Sequence, residues 1–368
     1  MSESRLVKPT FSGDGNFDSR LCWFHSKGPY MAGTSRPRPD PAAFPSGGTL
    51  ADQATFLLSY AILAPSSHNS QPWVFDVEED TIRLYADETR RLDVADPDGR
   101  ELYLSLGCAL ENLLIAADRF GLEPSVAYPP TDSRPRSPES HLSHAATVQL
   151  HPNGPSSPQP ESTLFQAIPE RQTNHHPFEA TPVLDSLLEE FEGYATAEGV
   201  GLELVTDDHQ RETIAALQTS ADEQQFADPE YRAELGHWIG TGALGANWLA
   251  ARIGQLAVRH LDMGEREGTK NSRLITSAPV VGVLTSDVDD RKHRLKVGQV
   301  FERLALAATS EGLAVHPMSQ ILEVDDLRAE LAGVLDLDGP TPLHLFRLGR
   351  GEPESTRTPR RPLEAVLR

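Results

Sequence analysis

Two stretches of the chain repeat the same pattern of apolar and polar positions. In Leu106–Leu122, the apolar residues at 106, 110, 113, 114 and 117 fall three and four positions apart, which predicts one buried face of a helix. Val297–Leu313 aligns with this segment without gaps, and Gly107 matches Gly298. Each stretch ends in Gly-Leu, which predicts a helix C-terminus followed by a strand. Any two amphipathic helices share Leu and Ala at this spacing, but the matching glycines favour an internal repeat.

The remaining pattern predicts strands and helices that are interspersed, with hairpin signals instead of strict strand–helix–strand alternation. The predicted strands are Trp73–Val77, Ile82–Ala86, Ala146–Leu150, Gly201–Thr206, Val280–Thr285 and Leu343–Leu348. The further predicted helices are Phe56–Leu63, Leu184–Glu198, Gln210–Gln224 and Leu244–Leu261. Together with the repeat, they indicate an α+β fold in which two related halves pack as an internal pseudo-dimer.

Stretches rich in proline and serine divide the chain. Residues 1–46 carry Ser, Gly, Pro and charge without helical or strand periodicity, which predicts a flexible N-terminal extension. The stretch HPNGPSSPQPEST at 151–163 is the best boundary between the two halves. We therefore expect an N-terminal half at 47–160 and a C-terminal half at 161–368.

The charge balance limits the classes of partner. A formal net charge of −21 argues against nucleic acid or an anionic membrane as partner, since both are polyanions. A phosphate ligand would need a local cluster of arginines. The two cysteines, Cys22 and Cys108, form no CxxC pair, so neither a disulfide framework nor a zinc site is expected. Without a secretory signal or an apolar run of about 20 residues, we expect a soluble, cytoplasmic protein.

A dense polar turn, APSSHNSQPW at 64–73, joins the helix at 56–63 to the strand at 73–77. Its hydroxyls, amides and free backbone N–H groups can contact a flat heteroaromatic ring at its polar edge. Ser, Asn and Pro are also the commonest turn residues, so an ordinary helix-to-strand turn is the alternative. The string resembles the flavin-contacting turn of the FMN-dependent nitroreductase family, which carries a Pro-Ser-x-x-Asn-x-Gln-Pro-Trp pattern. The resemblance implies a nitroreductase-like fold. It also implies that FMN contacts the residues Pro65, Ser66, Ser67, Asn69 and Gln71.

A second motif of that family is an Arg-rich segment of the form R-x-S-x-R, supplied in the homodimers by the other subunit. Here the C-terminal half carries Arg171-Gln-Thr-Asn-His-His-Pro-Phe178, which looks like this motif. The order of motifs is similar to that of the single-chain, Acg-type branch, and the likeness covers about residues 48–368. It implies that Arg171 pairs with the FMN phosphate and that Thr173 hydrogen-bonds it. His175 stands where the family usually has a second arginine, which weakens this anchor because a neutral imidazole carries no fixed charge. A solvated surface arginine is the alternative for Arg171.

The C-terminal stretch Thr358-Pro-Arg-Arg-Pro-Leu363 resembles the family's closing motif, in which a late arginine returns to the phosphate. Arg361 is the preferred candidate and Arg360 the alternate. A frayed basic tail is the other interpretation. In Acg-type proteins a segment corresponding to about 236–275 can fold over the flavin as a lid, although the aromatic residues there could equally pack in a core.

The resemblance implies a flavin-dependent oxidoreductase. NAD(P)H would reduce the FMN, and a nitroaromatic, quinone or similar small acceptor would reoxidise it. No side chain is assigned as catalytic, because the cofactor carries the hydride chemistry. The alternative is a non-catalytic protein that binds or sequesters flavin beneath a closed lid. A third is a scaffold that has lost its cofactor. We expect a monomer, with further oligomerisation open.

Competing motifs have weak support in the sequence. Gly240-Thr-Gly-Ala-Leu-Gly245 matches G-x-G-x-x-G, but a dinucleotide-binding loop must follow a strand, and residues 231–239 do not predict one. His175 and His176 lack the spacing of a helical metal pair, so no metal site is expected.

Overall fold

A computed structural model describes residues 37–129, 141–152, 162–245, 254–255, 257–258 and 263–368. Most of the helix predicted at Leu244–Leu261 lies outside the described residues, as does Trp248, one of the aromatic residues of the predicted lid at 236–275. Residues 1–36 of the extension, which include Cys22, also lie outside them. The last part of that extension contacts the first half, because Phe44 stacks on Phe120 with ring centroids 4.3 Å apart.

Within these described ranges, eight strands form two four-stranded antiparallel sheets. The strands are β1 (Trp73–Glu78), β2 (Thr81–Asp87), β3 (Leu122–Ala127), β4 (Leu142–Pro152), β5 (Gly201–Val205), β6 (Val280–Ser286), β7 (Ala314–Pro317) and β8 (Thr341–Gly349). The first sheet has the order β1-β2-β4-β3 and the second has the order β5-β6-β8-β7. In chain order the two sheets therefore have the same topology.

The helices among the described residues, numbered in chain order, flank these sheets. They are α1 (Leu50–Ala61), α2 (Arg100–Arg119), α3 (Thr163–Ala167), α4 (Asp185–Glu198), α5 (Asp208–Ala227), α6 (Pro229–Gly240), α7 (Gly264–Ser277), α8 (Arg291–Ser310) and α9 (Asp325–Val334). The hydrophobic pattern predicted the bodies of α1, α2, α4, α5 and α8, whereas α3, α6, α7 and α9 were not predicted. No helix among the described residues is both long and apolar enough to cross a membrane.

The internal repeat is present at the level of structure. Helix α2 connects β2 to β3, and α8 connects β6 to β7 at the equivalent place in the second half. Gly121 and Gly312 end these helices with φ of 74° and 69°, a left-handed conformation that glycine adopts without steric penalty. Both central strand pairs also have a register irregularity, at Leu84/Tyr85 in one half and Leu284/Thr285 in the other. The predicted α+β fold with two related halves is confirmed.

The two halves meet where α2 packs against α8. A Cβ atom placed on Gly107 would lie 2.1 Å from the carbonyl oxygen of Leu295. A Cβ atom on Gly298 would lie 2.1 Å from the carbonyl oxygen of Leu104. The Cys108 thiol donates to the carbonyl oxygen of Gly298 at 3.3 Å. The paired glycines of the repeat therefore permit the helix backbones to approach each other, at the centre of a core that both halves share.

Two features outside the repeat bring further residues to the interface between the halves. Residues 206–279, between β5 and β6, contain α5, α6 and α7, whereas β1 and β2 are joined by the short turn at 79–80. The C-terminal segment returns to the first half. There the backbone N–H of Phe75 donates to the carbonyl oxygen of Val366 at 2.7 Å, and the carbonyl oxygen of Phe75 accepts from the backbone N–H of Arg368 at 2.9 Å. The chain end thus lies beside β1.

Candidate functional site

The polar turn that follows α1 has a constrained backbone. His68, Asn69 and Gln71 have φ of 50°, 50° and 49°, in the left-handed region that residues other than glycine rarely occupy. The backbone N–H of Gln71 donates to the Ser66 hydroxyl at 2.9 Å, which closes the turn. Such a conformation costs of order 1–3 kcal/mol per residue and persists where surrounding contacts hold it.

The turn is attached to α2 through Ser67. Its hydroxyl donates to Glu101 Oε2 at 2.5 Å, and its backbone N–H donates to the Ser105 hydroxyl at 3.4 Å. Burial would raise the pKa of Glu101, but the nearby Arg100 guanidinium, 2.6 Å from Glu101 Oε1, and the Ser67 hydrogen bond hold that pKa below its usual value. Sequence analysis missed Glu101, since a glutamate in the first turn of a helix has no distinctive signal.

Asn69 joins the turn to two distant segments. Its Nδ2 donates to the carbonyl oxygens of Ala243 (2.8 Å) and Pro359 (2.9 Å), and its Oδ1 accepts from Arg360 Nη1 at 3.2 Å. Gln71 is fully buried and holds the same C-terminal segment. The side chain of Asn69 therefore connects the turn to the insertion between β5 and β6 and to the chain end.

Two buried guanidinium groups converge beside the end of α1. Arg171 Nη2 donates to the carbonyl oxygen of Leu63 at 3.5 Å, and Arg360 Nη2 donates to the same oxygen at 3.0 Å. Arg171 Nε also lies 3.2 Å from the fully buried Glu302 Oε1 on α8. Arg171 and Arg360 are 5% and 2% exposed, so Arg171 is not a solvated surface residue. Two cations and one nearby anion leave a local positive charge, the character that an anion site requires.

The geometry reverses the preference between the C-terminal arginines. Arg361 donates to the carbonyl oxygens of Gln71 (2.9 Å) and Ala365 (2.7 Å), away from the guanidinium of Arg171. Arg360 is the arginine that turns inward. Two adjacent arginines on an extended segment point to opposite sides, and the sequence alone does not tell which side faces the interior.

Thr173 and His175 follow Arg171 along the same wall. Thr173 forms an isolated parallel bridge with Val315 of β7. His175 Nδ1 lies 3.0 Å from Glu354 Oε1, and 59% of the His175 side chain is exposed. The exposed His175 imidazole thus lies beside a carboxylate, at the position where the family motif usually has a second arginine.

A cavity of about 510 Å³ lies between these segments. Most of the sequence-predicted site residues line it, namely Pro65, Ser66, Ser67, Asn69, Arg171, Thr173, His175 and Arg360. Gln71 and Arg361 do not line the cavity and hydrogen-bond to each other instead. Because the turn comes from the first half and Arg171 from the second, the cavity is a composite of both.

The insertion between β5 and β6 supplies the opposite wall. Its contributions are both apolar and charged, and they include Asp222, Phe226, Tyr231, Leu235, Leu244, Glu267, Lys270 and Leu274. Part of the predicted lid at 236–275 is therefore a wall of the cavity, and the rest lies outside the described residues. The hydrogen bond from Asn69 to Ala243 ties this wall to the turn.

The end of the cavity beyond Ser67 is acidic and contains neutral imidazoles. Burial raises the pKa of Glu323 to about 8. Burial also lowers the pKa of His68 and of His344 to about 4, so both rings are uncharged near neutral pH. The cavity thus has a basic end at Arg171 and Arg360 and a hydrogen-bonding, acidic end at Glu323.

The competing motifs do not form sites among the described residues. Residues 240–245 begin at the last residue of helix α6, whereas a dinucleotide-binding loop would have to follow a strand. Within the ranges that the structure describes, no group of three or more His, Cys, Asp or Glu residues could hold a metal ion.

No protein-family model matches the chain. Among curated proteins, "Putative NAD(P)H nitroreductase Rv3131" from Mycobacterium tuberculosis is 30% identical over 352 residues, which cover 89% of this chain and 94% of the relative. "Putative NAD(P)H nitroreductase acg" from the same organism is 27% identical over 323 residues, covering 83% and 92%.

Among solved structures, one described as a "putative nitroreductase" from Anabaena variabilis has a TM-score of 0.51 at 11% identity. The match covers 86% of this chain and 90% of that one, so the shared fold extends over both halves. The identity to the mycobacterial relatives extends over most of the chain. The chain belongs to the nitroreductase family, and its relatives include Acg.

Proposed function

We propose that the composite cavity binds one FMN and that the protein is an NAD(P)H-dependent oxidoreductase acting on nitroaromatic, quinone or similar small acceptors. The observation that carries this proposal is the convergence of the Pro65–Gln71 turn and two buried arginines on one cavity. The volume of about 510 Å³ suits a small-molecule cofactor. The two halves then act as an internal dimer around one flavin, and the cytoplasm, where the two cysteines stay reduced, is the compartment that we propose.

The residues present fit the cofactor at both ends. Arg171 and Arg360 would hold the phosphate, since guanidinium groups donate to phosphate oxygens in a bidentate manner. Thr173 lies on the same wall and would donate from its hydroxyl. The turn residues Ser67 and Asn69 would contact the polar edge of the ring. When bound, FMN supplies the hydride chemistry, while the chain positions it and excludes water.

A covered, non-catalytic flavin site is the second candidate. It is favoured by the insertion 206–279, which forms a wall of the cavity and is hydrogen-bonded to the turn through Ala243. The net charge of −21 also disfavours the approach of the anionic nicotinamide cofactor. In this case the protein would bind FMN and shield it from NAD(P)H.

Anaerobic reduction separates the two candidates. The protein is loaded with FMN, freed of excess cofactor, and mixed with NADPH or NADH while the visible flavin band is recorded. We expect the band to bleach and to return when a quinone is added. A bound flavin that resists both nicotinamides and yet bleaches with dithionite would establish the covered site. Failure to bind FMN would contradict both candidates.

The phosphate assignment predicts a difference between two adjacent arginines. Arg360→Ala is expected to weaken FMN binding by about 2 kcal/mol, roughly thirtyfold, because charge-assisted hydrogen bonds to the phosphate are lost. Arg361→Ala is the matched control and should change the dissociation constant little. Both are measured by fluorescence titration with FMN and with riboflavin, which lacks the phosphate. If Arg360→Ala weakened the binding of riboflavin as much as that of FMN, the variant would be disturbing the turn, and this result would contradict a phosphate role.

A further inference from the structure

Glu323 presents an unused carboxyl oxygen to the acidic end of the cavity. It ends the 3-10 turn Gln320–Glu323, and its Oε2 accepts from Gln225 Nε2 on α5 at 2.5 Å. The other carboxyl oxygen has no hydrogen-bond partner among the described residues, and the Glu323 side chain lines the cavity. This oxygen can therefore reach a ligand.

His344 lies on β8 and lines the same cavity, and its ring and the Glu323 carboxyl group both interact electrostatically with Glu101. The residue is 4% exposed, and neither ring nitrogen has a hydrogen-bond partner within the described part of the chain. Its ring packs edge-on against Phe301, with centroids 4.2 Å apart. A buried polar ring without partners is uncommon, since buried polar groups are nearly always hydrogen-bonded. A ligand in the cavity would supply the missing partner.

Charged groups from several elements face Glu323. The pKa of Glu323 is raised mainly by burial and, to a lesser extent, by the negative charge of Glu101, whereas the positive charge of Arg100 lowers it. Asp96, just before α2, and the Tyr231 phenol on α6 also face it. With a pKa of about 8, Glu323 is a neutral carboxylic acid near pH 7 and can donate a hydrogen bond.

The geometry points to a donor pair in which Glu323 and His344 together bind a carbonyl or nitro oxygen of a planar ligand. The neutral acid donates from its unused oxygen, and the neutral imidazole donates from one ring nitrogen. That oxygen belongs either to the acceptor or to the flavin ring. The inference rests on the proposed function for the identity of the ligand, and the test separates the two sources.

The test compares ligand binding at two pH values. Duroquinone, which has no free ring position for addition of a thiol, is titrated into the FMN-loaded protein without a nicotinamide. In a parallel titration, FMN is added to the apoprotein. For the ligand whose oxygen occupies the pair, affinity should fall about tenfold between about pH 6.5 and pH 9, because only the protonated fraction of Glu323 donates.

Glu323→Gln keeps a donor that does not titrate, so in this variant the tenfold fall should disappear while affinity at low pH is retained. Glu330→Gln makes the same substitution at an exposed position of α9 and should keep the pH dependence of the wild type. His344→Leu should weaken binding at both pH values without changing their ratio, and it serves if Glu323→Gln does not fold.

A pH effect that Glu323→Gln abolishes supports the donor pair. In the duroquinone titration it assigns the oxygen to the acceptor, and in the FMN titration it assigns it to the flavin ring. If both ligands bind but neither titration shows this pH effect, the donor pair is overturned and the proposed function stays intact. If FMN does not bind, the proposed function fails, and duroquinone titrated into the apoprotein still tests the pair.

Discussion

Gly298→Ala is expected to lower the free energy of unfolding by about 3 kcal/mol or more. The new Cβ atom would lie 2.1 Å from the Leu104 carbonyl oxygen, which is backbone of the facing helix and has no rotamer into which it can move. The overlap can be relieved only if α2 and α8 separate, and both helices lie in the main core. Urea unfolding followed by circular dichroism measures the change.

Gly193→Ala is the matched control for this substitution. Gly193 lies within α4, and a Cβ atom placed there would meet nothing within 4 Å. Alanine at this position should raise stability by about 0.5–1 kcal/mol, because it has a higher helix propensity. Gly107→Ala should behave like Gly298→Ala, since its Cβ atom would overlap the Leu295 carbonyl oxygen. Similar unfolding midpoints for Gly298→Ala and Gly193→Ala would contradict the close crossing.

The two halves share a topology but not a site. In the first half, residues 62–72 separate α1 from β1 and form the polar turn. In the second half, only Gly199 and Val200 separate α4 from β5, so no equivalent turn exists. The large insertion is likewise confined to the second half. The described residues of the second half therefore lack the turn that a second, equivalent site would need.

The repeated glutamates show the same asymmetry. Glu302 on α8 lies beside Arg171, whereas Glu111, its counterpart on α2, contacts Arg303 Nε at 2.6 Å and accepts from Gln299 Nε2 at 3.3 Å. The cation beside Glu111 is Arg303, which lies on α8 and does not belong to a segment like the one that contains Arg171. The repeated carboxylate thus lies beside the cavity-lining Arg171 in one half and takes part in a helix–helix contact in the other.

Hydrophobic periodicity predicted the fold where burial determines the pattern. Helices α2 and α8 each have a strong apolar face and end at a glycine. In the strands, apolar residues either alternate with polar ones or form continuous runs. These patterns made the elements and their repeat recognisable. Helix α6 shows little apolar periodicity, and helix α7 is polar overall although its few apolar residues share one face, so neither helix was predicted. Their existence depends on tertiary packing, which local sequence does not encode.

The candidate site was predictable only where a motif preserved it. The turn and Arg171 are contiguous strings, and the structure places both on the cavity. Glu101, Glu323 and His344 come from three separate elements, and their proximity arises from the packing of α2 against the second half. No spacing along the chain relates them, which is why sequence analysis did not identify this end of the cavity.

Arg171→Met is expected to lower the free energy of unfolding by about 3–5 kcal/mol, because it leaves the fully buried Glu302 without its guanidinium partner. The double variant Arg171→Met/Glu302→Gln removes both charges and should recover most of that loss, since an apolar side chain beside a neutral amide replaces a buried ion pair. Urea unfolding of the wild type and both variants provides the measurement.

Binding by the double variant then separates the two roles of Arg171. Its fold is restored, but the phosphate has lost one of two guanidinium partners, so FMN affinity should remain about 2–3 kcal/mol weaker than in the wild type. Riboflavin affinity should be close to that of the wild type, since riboflavin carries no phosphate. If the double variant regained both stability and FMN affinity, Arg171 would be a structural partner of Glu302 alone, and Arg360 would be left as the phosphate's arginine.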